Sequence, residues 1–265
     1  MALKVAMIGD NCIDYYEKLN KFYPTGNVVN TGVNLQKLGI DTSMISTTGS
    51  DEYGKIMFKT LEEEGLDLSH FKVAEGPTAI TYMDMDGLER VHGEYVEGVL
   101  ENIVFDEEDI DFAASHDLVH SAFWGKADGV LDKIKEKGAL ISFDYATSYD
   151  SEMVDRTIPF VDYGFFSFNE NTAFVQEFLR EKVSKGMKCA VATFGDKGSL
   201  AWDGKEFYEF GIFPAKVINT VGAGDSFIAG FLYGVLTNQS IEEALEMGAK
   251  VASEVVAVFE PWVIK

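Results

Sequence analysis

Apolar residues along this chain fall into short runs separated by longer amphipathic stretches. The runs Val5–Ile8, Met44–Thr48, Leu118–Ser121, Ala139–Phe143, Gly164–Phe168 and Ala190–Phe194 carry few charges and many β-branched side chains. Runs of that length and content predict strands buried on both faces. Between them, Val28, Val29, Val33, Leu35 and Leu38 recur at helical spacing and stop at Gly39, while Tyr53, Ile56, Met57 and Leu61 stop at Gly65. Ile134 leads in the same way to Gly138, and Val175, Phe178, Leu179 and Val183 lead to Gly186. Glycine enters the left-handed conformation that ends helices at little cost, so each glycine marks a helix stop. Strand, helix and strand in alternation predict an α/β fold with a mainly parallel sheet covered by helices on both faces.

Two stretches depart from the alternation. Thr78 to Tyr95 places Asp86-Gly87 between β-rich arms, and Gly198 to Phe210 places Asp203-Gly204 between two more. Both read as hairpins, the first exposed like a lid or an assembly surface and the second at a sheet edge. No repeat, polar linker or compositional break marks a second domain, so residues 1–265 read as one domain.

Composition narrows the class. The 265 residues are 46% apolar and 13% aromatic, with 25 Gly and 5 Pro, which excludes a disordered or collagen-like chain. Phe227 to Leu236 is the longest apolar stretch, well short of the roughly 20 residues a bilayer requires. Against 22 Lys plus Arg stand 44 Asp plus Glu, a net charge of −22. Such a surface repels phosphate backbones and anionic lipid, so neither nucleic acid nor membrane is an expected partner. An anionic substrate must be held by local features such as helix N-termini. Two cysteines and no visible signal peptide suggest a reducing, cytoplasmic setting.

The densest candidate chemistry is Asn219-Thr220-Val221-Gly222-Ala223-Gly224-Asp225-Ser226-Phe227, which runs into an apolar helix. Gly222 to Gly224 leave the backbone free of bulk, and the helix adds its positive end, so their amides can cradle developing negative charge. Asp225 in the first turn can take a proton from a hydroxyl attacking phosphorus held there. The same pattern also describes a tight turn with an aspartate favouring the helix start, and on residues alone both readings stand.

Gly222-Ala223-Gly224-Asp225-Ser226-Phe227 resembles the C-terminal signature of the ribokinase-like, or PfkB, carbohydrate kinases, and Gly26-Asn27-Val28-Val29-Asn30-Thr31-Gly32 resembles the N-terminal one. The resemblance spans essentially the whole chain. It implies a three-layer α/β/α sandwich with a small β lid from about 11–20 and 78–97, and phosphoryl transfer from ATP, with Mg²⁺, to a sugar hydroxyl. Asp225 matches the family's catalytic base, and Gly222, Ala223 and Gly224 its anion hole. Asp14, Gly26 and Asn30 match sugar-binding positions, and Thr193, Gly195 and Gly198 lie beside the nucleotide. Lids of this kind often pair between subunits, which implies a homodimer. Asp10–Asp14, Glu94–Gly98 and Ser121–Gly125 are most similar to the branch that phosphorylates fructoselysine at O6. On that view Glu94 and Glu97 meet an ammonium group and Arg90 a carboxylate or phosphate; otherwise the glutamates are solvated lid residues. The alternatives are a fructokinase, another sugar or nucleoside kinase on this fold, or a non-catalytic sugar or nucleotide sensor.

Three positions depart from the family pattern. Thr25 stands where the first glycine of a pair is usual. Asn219 replaces an aspartate that helps hold a monovalent cation, which leaves K⁺ activation open. Thr172 ends Asn169-Glu170-Asn171-Thr172 where a glutamate associated with magnesium is usual. His116 and His120 do not read as a metal pair, since their segment enters a strand, and Cys12 reads as a lining residue rather than a nucleophile. Glu62-Glu63-Glu64 reads as a solvated helix face. No Gly-x-x-x-x-Gly-Lys-Ser/Thr is present, and no Gly-x-Gly-x-x-Gly follows the first strand, which counts against P-loop and dinucleotide-binding enzymes.

Overall fold

The computed structural model describes residues 2–86 and 89–263, with the side chains at 85, 86, 89, 90 and 92 left out. In chain order its strands are β1 (Lys4–Ile8), β2 (Cys12–Tyr16), β3 (Lys21–Thr25), β4 (Asp41–Gly49), β5 (Asp67–Ala74), β6 (Ile80–Asp86), β7 (Glu89–Val96), β8 (Leu118–Ala122), β9 (Leu140–Asp144), β10 (Tyr163–Ser167), β11 (Cys189–Thr193), β12 (Ser199–Trp202) and β13 (Phe207–Phe210). The helices are α1 (Asn27–Lys37), α2 (Glu52–Glu63), α3 (Glu107–Ala114), α4 (Leu131–Glu136), α5 (Glu152–Thr157), α6 (Ala173–Ser184), α7 (Ala223–Leu236) and α8 (Ile241–Val255).

One sheet runs β13-β12-β11-β10-β9-β8-β1-β4-β5, parallel from β5 to β11 and antiparallel at β12 and β13. The runs read as strands are its middle, and the Asp203-Gly204 hairpin is its edge. Burial on both faces shows in β1, where Val5 and Met7 join the core beneath α1, α2, α7 and α8 while Ala6 and Ile8 join the core beneath α3 to α6. All four are fully buried. Gly39, Gly65, Gly138 and Gly186 each follow a helix at positive φ, as stops require.

A second sheet, β3-β2-β6-β7, stands over the strand ends. It is wider than expected, because β3 carries Pro24 and charge and reads poorly as a strand, yet proline is tolerated at the edge it occupies. Its inner face seats Tyr16 and Met83 on Val221, flanked by Tyr23 and Phe259, so the lid rests on the turn that precedes α7. Its other face leaves Phe22, Tyr82 and Val96 exposed. Glu64 is not simply solvated: it accepts the Trp262 indole N–H at 2.9 Å and pairs with Lys37, tying α2 to α1 and to the C-terminal segment. His116 and His120 have separate partners, Ser43 with the Phe112 carbonyl for the first and Ser142 for the second.

Candidate active site

The turn before α7 is built from its anchors outward. Asn219 accepts the Val221 N–H at 3.2 Å and donates from Nδ2 to the Phe259 carbonyl at 2.7 Å, fixing both ends of the turn. Gly222 follows at φ 71°, where any Cβ would lie 2.5 Å from the Pro261 carbonyl oxygen, so only glycine fits. Gly222 is the N-cap of α7 and has no side chain to occupy the amides of the first turn, and helical bonding begins with Ser226 N–H to the Gly222 carbonyl at 2.8 Å. Of the earlier amides, that of Ala223 donates to the Thr220 carbonyl at 3.3 Å, and that of Gly224 lies in the first turn, where α7 itself supplies no acceptor. A Cβ at Gly224 would meet nothing within 4 Å, so that glycine opens the cradle rather than relieving a clash.

Asp225 lies in this first turn, buried, with both oxygens held from α1. Asn27 Nδ2 donates to Oδ1 at 3.1 Å and Asn30 Nδ2 to Oδ2 at 2.8 Å. Burial pushes the Asp225 carboxyl up to about 7; the hydrogen bonds from Asn30 and Asn27 work against the rise, and the charges of Asp144 and Asp10 add to it. Asp144, at the end of β9, is itself pushed up to about 6, chiefly by burial. Burial likewise raises Asp10, whose Oδ2 accepts the Asn27 N–H at 2.9 Å while Oδ1 has no hydrogen-bond partner. A buried carboxyl titrating near neutrality is suited to take and return a proton.

Gly26 N-caps α1 at φ 135°, where a Cβ would lie 2.9 Å from both the Asp10 carbonyl oxygen and the Asn11 Cα. Asn30 does not extend freely towards a sugar as the resemblance implied. Its amide is engaged at both ends, with Oδ1 receiving the Thr25 hydroxyl at 3.1 Å and Nδ2 serving Asp225.

The lid's inner face follows from its register. Asp14 of β2 pairs with Thr81 of β6, and Thr81 with Tyr95 of β7, so these three share a face. Asp14 is buried. The Cys12 thiol, 3.7 Å from the Thr81 hydroxyl, is held well above its ordinary pKa by burial and the charges of Asp14 and Asp10, and so stays neutral. Glu94 is exposed, as is Tyr95, and it lies where β7 shifts register against β6, so strand alternation does not fix the face it takes. Glu97 pairs with Lys126 at 2.6 Å. The Arg90 side chain lies outside the described residues.

Across the turn, a cavity of about 450 Å³ is lined by Thr193, Gly195, Gly198, Ala223, Gly224 and the apolar Phe227. Its volume falls within the range that encloses a ligand of nucleotide size. Sequence reasoning brought Asp225, the cradle and this wall to one place, but missed Asn27, Asp10 and Asp144. Asp10 and Asp144 lie at or just beyond the C-terminal ends of parallel strands, which is the available signal.

Known proteins resemble this chain along nearly its whole length. The model of the pfkB family carbohydrate kinase matches residues 4–261. The chain is 35% identical over 258 residues to fructoselysine 6-kinase of Escherichia coli strain K12, covering 97% of this chain and 99% of that protein. It is 31% identical over 264 residues to fructosamine kinase FrlD of Bacillus subtilis strain 168, covering 97% and 92%. Among solved structures, Arabidopsis thaliana ribokinase complexed with ribose and ATP superposes with a TM-score of 0.86 at 20% identity, covering 98% and 94%.

Proposed function

Because the chain belongs to the pfkB family of carbohydrate kinases, we propose that it transfers the γ-phosphoryl group of ATP to O6 of fructoselysine, releasing ADP. The observation that carries the reading is the place of Asp225, on the helix turn that separates the nucleotide-sized cavity from the inner face of the lid. The sugar sits against Asp14 and Gly26 under the lid, with Tyr95 on the same inner face, and its hydroxyl meets Asp225. Asp225 takes the hydroxyl proton as oxygen attacks phosphorus, and the amides of Gly222, Ala223 and Gly224 stabilise the migrating group's charge. ATP occupies the cavity along Thr193, Gly195 and Gly198.

Mg²⁺ arriving on the nucleotide supplies neutralisation of phosphate charge. Asn169 and Glu170, exposed on the segment before α6, are available to its water shell, whereas the Thr172 hydroxyl is spent on capping α6 through the Val175 N–H. A monovalent cation does not fit at Asn219. Its Oδ1 is fixed by the Val221 N–H, so Nδ2 must face the Phe259 carbonyl, and a donor occupies the direction from which a cation would be bound.

The fructoselysine assignment rests on the two kinase relatives at 35% and 31% identity. The exposed apolar face of the lid, with Phe22, Tyr82 and Val96, supports a homodimer formed through it. Residues 1–265 act as one kinase domain with its lid, and two free, buried cysteines suit the cytoplasm. The test is ADP release with fructoselysine, fructose and no sugar. Fructoselysine-dependent release upholds the reading, equal rates with fructose indicate a fructokinase, and no sugar-dependent release indicates a sensor.

A further inference from the structure

Thr25 is the last residue of β3 and is almost completely buried, 3% exposed. Its hydroxyl does not reach solvent or strand backbone among its recorded partners; it donates to Asn30 Oδ1 at 3.1 Å. From the other end of the same amide, Asn30 Nδ2 donates to Asp225 Oδ2 at 2.8 Å, and Asn30 is also 3% exposed. Hydroxyl, amide and carboxylate therefore form one buried line from the lid strand to the first turn of α7. We propose that Thr25 is a positioning residue for phosphoryl transfer, acting through Asn30 to hold Asp225 in the ionised state and in line with the cradle.

The physical reason lies in the amide. A carboxylate needs the NH₂ end of Asn30, which turns the carbonyl end inward. Buried without a donor, that oxygen would carry an unpaid desolvation cost and leave the side chain free to rotate. The Thr25 hydroxyl satisfies it and, by donating into the carbonyl, polarises the amide so that its N–H bonds more strongly to Asp225. Because Thr25 belongs to the lid and Asp225 to the main sheet's helix layer, the line also couples lid placement to the base. The other ionisable groups bearing on Asp225 are Asp144, Asp10 and Cys12. Cys12 is the cross-strand partner of Thr25, but the Thr25 hydroxyl donates to Asn30 and not to any of these three side chains.

This inference rests on Asp225 being the base, so the experiment separates the two. Wild type, Thr25→Val, Thr25→Ser and Asp225→Asn are compared by ADP release with fructoselysine from pH 5.5 to 9, alongside thermal melts. Thr25→Val should move the acidic limb of kcat/KM upward by about half a unit, the effect of losing part of one net hydrogen bond from the ionised form. Its deficit should be several-fold on the acidic side and close within about twofold at pH 9, where Asp225 is ionised in either protein. Thr25→Ser should restore the wild-type limb, and Thr25→Ala carries the same expectation as Val should the valine side chain prevent folding. A merely structural role would lower the rate equally at every pH. A wild-type limb in folded Thr25→Val or Thr25→Ala, with Asp225→Asn inactive, overturns the role of Thr25 alone; an active Asp225→Asn overturns the base assignment beneath it.

Discussion

Replacing Asp225 by asparagine should make the protein inactive and, at neutral pH, more stable. The carboxyl rises from an ordinary 3.8 to about 7 in the folded state because it is buried. At about 1.36 kcal/mol per unit, a difference of about three units amounts to about 4 kcal/mol. The sign follows from proton binding. Between the unfolded and folded pKa values the native state holds the proton more often than the unfolded state, so stability falls as pH rises from about 4 to about 7 and is level above that. An asparagine never ionises and escapes this loss. It cannot, however, accept from both Asn27 and Asn30, since its NH₂ must face one of two donors, which costs about 1–2 kcal/mol. The net gain is about 2 kcal/mol, or roughly 5 °C in Tm for a chain of this size. Melts of wild type and Asp225→Asn at pH 4.5, 6 and 8 should show the gap opening with pH, while ADP release falls by about 10²–10⁴. A gap that is constant in pH, or a variant less stable than wild type at pH 8, would refute the buried high-pKa carboxyl.

Gly224→Ala projects a methyl group into open space in the cradle, so the fold and Tm should be kept while turnover drops by about 10² or more; an unaffected kcat would show that the migrating phosphate lies elsewhere. Wild-type activity should be the same in K⁺ and Na⁺, whereas Asn219→Asp, which sets a carboxylate against the Phe259 carbonyl, should be destabilised and regain stability and rate as K⁺ is titrated in; a wild type activated several-fold by K⁺ contradicts the donor arrangement. Glu94→Gln should leave KM for fructoselysine within about twofold, as expected of an exposed side chain; a tenfold rise would place Glu94 at the sugar.

The sheet was legible because its signal is local. Buried parallel strands announce themselves as short apolar runs, and helix stops as glycines, and both were read within a few residues of where they lie. β5 escaped because an edge strand with one face exposed has no continuous run. The inward-facing residues of the lid arm were not legible, because composition marks the arm as acidic without fixing its pairing; Tyr95 takes the inner face through Thr81 and Asp14. The turn before α7 was legible for the opposite reason to the strands, since glycine at Gly222 and Gly224 answers to backbone geometry and open space rather than to packing.

The setting of Asp225 was not legible, since it is made across the fold. Asn27 and Asn30 approach Asp225 over separations of 198 and 195 residues, and nothing in either segment names the other. The chemistry explains why the contacts are amides. A lysine or arginine in their place would favour the ionised form strongly and pull the carboxyl below its ordinary range, leaving a weak base. Among the described residues, the hydrogen-bond donors to the side-chain carboxylates of Asp10, Asp144 and Asp225 are all uncharged N–H groups. They orient the oxygens and lower the pKa only in part, and burial, with the neighbouring carboxylates adding to it, presses the Asp225 carboxyl towards neutrality. The positive charge that phosphoryl transfer requires must then come from the N-terminus of α7 and from the cation carried on the nucleotide. A chain of net charge −22 can hold a polyanionic substrate only if that charge is concentrated where the phosphates lie, and in the proposed reaction the amides at Gly222 and Gly224 supply it there.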